Sequence, residues 1–442
     1  MESLHTVHSR TTRNAEKLSD GTRMTPNLPV ELHGTIVNEL KDENDALKQC
    51  ALTCRLYRHL AQKLLFKSIE RKFYPYRNPM EKLLGILKDS PQIANYVQRL
   101  SLCESGHLVD EVEETESQRD EAMSHVFPAL INLVELSLRG LPDQMPFPNI
   151  LEMRPSSRMA VMAKFESISS LTLHNVDLVP LEIFAVLHRL EKLELKEVHF
   201  CNSVGWIPQG PLPNRIKHIQ LADLYLDPPR SIYDFFMEHK FAEGLLETLS
   251  IQVNLDSWRL EPSEKDFQPT RWFIKHSAQT LKVLDVSISE GVVPLTLLHA
   301  EPAFDVSEMP LLEHLSLGGI DTSPEIGLGW MPSHLETIPA GRKLKSITLH
   351  PMVIDVEEVG LAEGVLDLGL LEYFEKLITD VVLSKTESFS LVFTLIRQKK
   401  KEDTQPVKEQ IREHLPTLDA LNLLTFKDEA WGNDSRKIKR IK

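Results

Sequence analysis

A chain of 442 residues is long enough for two or three domains and for a core that needs no disulfide or metal staple. Its hydrophobic fraction of 42% and charged fraction of 26% are those of a soluble globular protein, and a net charge of −14 argues against a general nucleic-acid binder, which carries a basic face. Four cysteines point to a reducing compartment, residues 1–26 hold no apolar stretch of the secretory kind, and no run of roughly 18 apolar residues occurs, so the expected location is cytoplasmic or nuclear, with no membrane span.

In chain order, residues 1–26 are rich in polar residues and are expected to be disordered. Pro26 and Pro29 mark a boundary, and a small helical module is expected over 27–75. Pro29 suits a first helical turn, where its missing N–H would have no partner anyway. Leu28, Leu32, Ile36 and Leu40 recur every four residues and make one apolar stripe. A polar break, Lys41-Asp42-Glu43-Asn44-Asp45, precedes a second amphipathic stretch that carries Leu47, Cys50, Cys54 and Leu65, with Asp45 as the expected N-cap. Cys50 and Cys54 stand one helical turn apart. No further ligands lie nearby, so they read as two buried thiols rather than as half of a metal site.

Leu28-Pro29-x-Glu31-Leu32, then Ile36 and Leu40, then Cys50-Ala51-Leu52-Thr53-Cys54-Arg55 and finally Leu65-Phe66 together resemble an F-box of the fungal type. The resemblance covers about one tenth of the chain, and Tyr57 stands where many F-boxes carry Trp. It implies docking onto a Skp-family adaptor and, through it, a cullin. Leu28, Pro29, Leu32, Ile36, Leu40 and Leu52 are then the adaptor-binding residues.

From 76 to 428 one pattern repeats: an aliphatic, two variable residues, an aliphatic, one variable residue, an aliphatic. It reads Val97/Leu100/Leu102, Leu133/Leu136/Leu138, Ile168/Leu171/Leu173, Leu190/Leu193/Leu195 and Ile216/Ile219/Leu221. Leu246/Leu249/Ile251, Leu281/Leu284/Val286, Leu312/Leu315/Leu317 and Leu344/Ile347/Leu349 follow, with weaker copies at Ile378/Val381/Leu383 and Leu418/Leu421/Leu423. The last two aliphatics are two apart, so they face one side of a short strand, and stacked copies bury a continuous core. The pattern resembles divergent leucine-rich repeats, spaced 22 to 36 residues apart where about 20–29 is usual. The extra length predicts helices over 181–190, 231–241 and 270–278. The expected fold is therefore an α/β solenoid, with parallel strands on a concave face and helices on the convex side.

The position eight after the first aliphatic is Leu141, Val176, Val198, Leu224, Ile320 or Met352 rather than Asn, with Asn254 the exception. The turns must then satisfy their backbone groups by other means. The acidic stretch Asp110 to Glu121 and the stretch around Lys399–Lys401 are expected to be solvated loops, and 429–442 a basic tail.

Residues between the aliphatics point to the opposite face, where substitutions should cost little. On that face Arg139, His174, Lys192, Lys196 and His218 form a locally basic group, the expected substrate-binding residues. No phosphate loop, dinucleotide fingerprint, zinc-protease helix or nucleophile elbow occurs, so no catalytic residue, metal or cofactor is expected. The resemblance implies a non-catalytic substrate receptor of a ubiquitin ligase, with an unknown protein substrate and no nucleic-acid or membrane partner. The competing expectation is a leucine-rich scaffold without a ligase role. Exposure of the Leu28/Leu32/Ile36/Leu40 stripe separates the two, because a docking surface stays exposed and a cap is buried.

Overall fold

The computed structural model describes residues 29–73, 79–104, 112–140, 150–151, 153–201, 212, 215–226, 232–254, 264–289, 304–321, 331–354, 368–397 and 404–430. Residues 1–26, Leu28, Lys399–Lys401 and 431–442 lie outside them. The chain divides into two units, Met1–Leu65 and Phe66–Lys442.

The first unit holds three helices: α1 (Val30–Glu39), α2 (Asn44–Thr53) and α3 (Arg55–Leu65). Pro29 is extended, and its carbonyl accepts the first backbone bond of α1 from Leu32 N–H at 3.0 Å. Among its described residues Val37, Leu47 and Ala61 are the buried hydrophobics, with Leu40, Cys50, Tyr57 and Leu64 packed around them. His33 and Tyr57 tie α1 to α3 through Nδ1 and Oη, 3.0 Å apart, with the rings edge-on. Two sequence expectations fail here. Asp45 sits inside the first turn of α2 and pairs with Lys48 at 2.7 Å instead of capping the helix. The two thiols are not a buried pair, because α2 stops at Thr53. Cys54 is extended and exposed, and the one-turn spacing loses its meaning where the helix breaks.

The second unit is α/β. Its described strands form one parallel sheet in strict sequence order: β1 (Ser68–Phe73), β2 (Arg99–Glu104), β3 (Glu135–Arg139), β4 (Ser170–Pro180), β5 (Lys192–Cys201), β6 (His218–Leu226), β7 (Thr248–Asn254), β8 (Val283–Ser289), β9 (His314–Asp321), β10 (Ser346–Ile354), β11 (Phe389–Arg397) and β12 (Leu424–Ala430). Strand after strand with a crossover between gives a repeat-like α/β solenoid. The expected aliphatics stand in register. Leu136, Leu171, Leu193 and Ile219 form one buried column, and Leu138, Leu173, Leu195 and Leu221 another.

The sheet begins one strand earlier than the repeats suggest, since β1 pairs with β2 and places Ile69 beside Leu100. The last repeats also move. Ile378–Val382 is a π-helical turn that continues the helix Leu368–Leu377, so the copy expected at Ile378/Val381/Leu383 is not a strand. The strand is β11, whose Phe389 and Leu391 pair with Ile347 and Leu349. Thr386 occupies the first aliphatic position, which hides that copy from the pattern. Likewise Leu418 lies in the helix Pro416–Ala420, and β12 starts only at Leu424.

Between strands lie α4 (Pro79–Asp89), α5 (Val112–Ala129), α6 (Pro155–Phe165), α7 (Ile183–Val186), α8 (Ile232–Glu238) and α9 (Glu264–Ser277). The helix expected at 181–190 shrinks to the single turn α7, and that at 270–278 begins earlier, at Glu264. From Val112 on, the acidic stretch expected to be a loop is the first half of α5, while Asp110 and Glu111 lie outside the described residues. Ala122, Met123, Val126 and Phe127 bury one stripe of that helix, and acidic residues near an N-terminus favour its dipole. Asp120 is buried and accepts a bond from Arg154 N–H at 2.8 Å.

The missing asparagine ladder is replaced in two ways. First, the strands run on past the repeat core. Asn175 (φ 49°) and Glu197 (φ 54°) each take the left-handed conformation, which shifts the in–out alternation by one residue. Val176 and Val198 therefore turn inward, are fully buried and pair with each other. Second, side chains of one repeat reach back to turn carbonyls of an earlier one: Asn132 to Asn95, Lys164 to Leu130, Thr280 to Leu246 and Arg342 to Leu312. Backbone acceptors that would cost free energy if buried without a donor are met in this way.

Candidate functional site

The first unit presents a surface of apolar side chains. Leu32 is 46% exposed, Ile36 47% and Leu52 74%. Leu32 and Ile36 lie one turn apart on α1, so they share a face. Pro29 is exposed at the head of the same helix. Leu40, the last member of the stripe, packs against the module's own core instead, and Leu28 lies outside the described residues.

The second unit presents the open face of the sheet, opposite its buried leucines. Between β1 and β6 the register sorts this face into three columns running across the strands. Column one holds Ser68, Arg99, Glu135, Ser170, Lys192 and His218. Column three holds Glu70, Ser101, Ser137, Thr172, Glu194 and Gln220, and column five holds Lys72, Cys103, Arg139, His174, Lys196 and Ala222. Arg139, His174 and Lys196 are thus consecutive in one column, while Lys192 and His218 are neighbours in another. Lys72 joins the basic group although sequence reasoning missed it. The signal was the Phe66-x-x-Ile69 spacing, obscured because Arg71 stands where the third aliphatic belongs.

Glu194 is the hub of this face. Its carboxylate meets His174 Nε2 at 2.7 Å, accepts from the Thr172 hydroxyl at 3.4 Å and stands 4.0 Å from Lys192 Nζ. The His174 bond holds the Glu194 carboxyl below the usual glutamate range. Burial opposes that shift, and the charges of His174, Lys192 and Arg139 add to it. Glu135 pairs with Arg99 at 3.0 Å. Arg139 donates to the Ser137 hydroxyl and stays exposed, and Lys196 lies 4.0 Å from Glu197. In column one Arg99 and Glu135 neutralise each other, and in column five His174 meets Glu194 while Arg139 stays exposed against a neutral hydroxyl.

Among the described residues, no group of three His, Cys, Asp or Glu side chains is placed to hold a metal ion. No helix among them is long and apolar enough to cross a membrane. No protein-family model matches the chain, and no curated protein matches it.

Proposed function

We propose that the chain is a non-catalytic substrate receptor of a Skp–cullin–F-box ubiquitin ligase. In this reading α1–α3 are an F-box-like module that docks a Skp-family adaptor, and a divergent leucine-rich-repeat sheet holds a protein substrate. The observation that carries the reading is the exposure of Leu32, Ile36 and Leu52 on a module whose core, among the described residues, is Val37, Leu47 and Ala61. So small a helical unit gains little from its own burial, and apolar side chains kept in water mark a binding surface. The receptor makes and breaks no bonds. It raises the effective concentration of substrate lysines beside a charged ubiquitin carrier.

Capture of a Skp-family adaptor by the purified full chain tests this. Leu32→Asp with Ile36→Asp should abolish capture, since central apolar anchors each carry about 2 kcal/mol or more. Helical content and melting should not change, because both side chains already face water. An adaptor that fails to bind the unmutated chain, or binds the double variant undiminished, overturns the ligase reading and leaves a repeat scaffold.

A further inference from the structure

Among the described residues, the carboxylates at the register positions of these columns between β1 and β6 are Glu135 in column one and Glu70 and Glu194 in column three, and Glu197 lies 4.0 Å from Lys196 at the end of column five. Column five itself holds none at those positions, and carries Lys72, Arg139, His174 and Lys196 across β1 to β5. We infer that column five is a docking rail for an extended acidic segment of a partner protein, lying across the strands. The inference rests on the substrate-receptor reading and names the substrate class.

The dimensions fit such a segment. Four strand steps of about 4.8 Å span about 19 Å, which an extended peptide covers in about six residues at ~3.3 Å each. Glu194 orients the rail from the column beside it. Its bond to His174 Nε2, 2.7 Å long, fixes the orientation of the ring. Lys72 and Arg139 are exposed at the C-terminal ends of β1 and β3, so neither must be uncovered to be used. A nucleic acid is the other polyanion such a rail attracts. A chain of net charge −14, with acidic groups in the adjacent columns, favours a short acidic peptide over a long uniform polyanion.

The test is fluorescence anisotropy on the full chain at low ionic strength, with labelled hexaglutamate as probe and a labelled thymidine hexanucleotide as comparison. Hexaglutamate should bind, and binding should weaken as salt is added. Lys72→Glu with Arg139→Glu should lower its affinity roughly tenfold or more, while Arg99→Gln, in column one, should change it by about twofold at most. The double variant should instead gain affinity for hexalysine, which a misfolded chain would not. Absent hexaglutamate binding, equal losses from the two columns, or tighter binding of the hexanucleotide each overturn the rail. If adaptor capture through α1 persists while hexaglutamate fails, only the rail falls. If the reverse holds, only the ligase reading falls.

Discussion

Leu193 and Glu194 are chain neighbours on β5 with opposite surroundings. Leu193 is fully buried between Leu171 and Ile219, so Leu193→Ala should cost about 2–5 kcal/mol by leaving a cavity. Alternation alone classes Glu194 as a solvated residue, for which a change within about 0.5 kcal/mol is the norm. The structure gives it His174, Thr172 and Lys192 as partners and leaves its side chain only 17% exposed. Glu194→Ala should therefore cost more, about 1 kcal/mol, yet still less than Leu193→Ala. Denaturant melts of the two variants check the order. The ionised form of Glu194 is favoured in the folded state, so its contribution is full above the ordinary glutamate range and is lost as pH falls through its lowered folded value. The stability gap between the unmutated chain and Glu194→Gln should thus be present above the ordinary glutamate range and shrink as pH falls through the lowered folded value. A gap of constant size would show that the carboxylate's charge contributes nothing.

Element by element, the sheet is stitched along its N-terminal edge by alternating charges. The residues just before β5 to β10 are Glu191, Lys217, Glu247, Lys282, Glu313 and Lys345. Each also passes its backbone N–H to the carbonyl of the residue before it in that series, from Lys217 to Lys345. Side-chain distances are 3.7 Å for Glu191–Lys217 and 2.7 Å for both Glu247–Lys282 and Glu313–Lys345. Lys282 also feels Glu313, and Glu247 feels Lys217, so each charge inside the row has two opposite neighbours. Exposed pairs are individually weak, but a continuous row discriminates between arrangements. Glu247→Lys should lower the melting temperature at low salt, and the difference should fade near ~1 M salt, where screening reaches about 3 Å. Adding Lys282→Glu would fully restore an isolated pair. In a ladder it leaves like charges facing at both flanks, so recovery should be partial. Full recovery would reduce the row to separate pairs.

Across the whole molecule, the two units differ sharply in how much they bury. The second has a continuous core running from Ile69 to Leu418, reinforced by aromatic packing of Phe184 against Phe200, Phe236 and Phe241. The first has three buried hydrophobics among its described residues. Local stability follows buried apolar contact. Amides of α1–α3 should accordingly exchange with deuterium well before those of β3–β9, as hydrogen-exchange mass spectrometry would resolve. Bound adaptor should slow exchange in the first unit by mass action. Protection of the first unit equal to that of the sheet, without any partner, would contradict this division.

Periodicity by itself determined the middle of the molecule. From Val97 to Leu349 the two-residue spacing of the aliphatics sets which face is buried, and a slip of one residue would turn every leucine into water. The columns of the open face follow from that register, which is why the sequence alone places Arg139, His174 and Lys196 side by side. Other features were decided only by tertiary contacts. Arg71 in β1 and Thr386 just before β11 stand where the pattern asks for an aliphatic, and neighbouring strands supply the burial that the local sequence does not advertise. The acidic stretch became α5 because its second half anchors in the core and carries the first half along as helix. The left-handed turns at Asn175 and Glu197 leave no sign in local propensity, since what rewards them is the burial of Val176 and Val198 one residue later. Glu194's role was likewise hidden, because His174 and Thr172 are some twenty residues away in sequence and meet it only when parallel strands lie side by side.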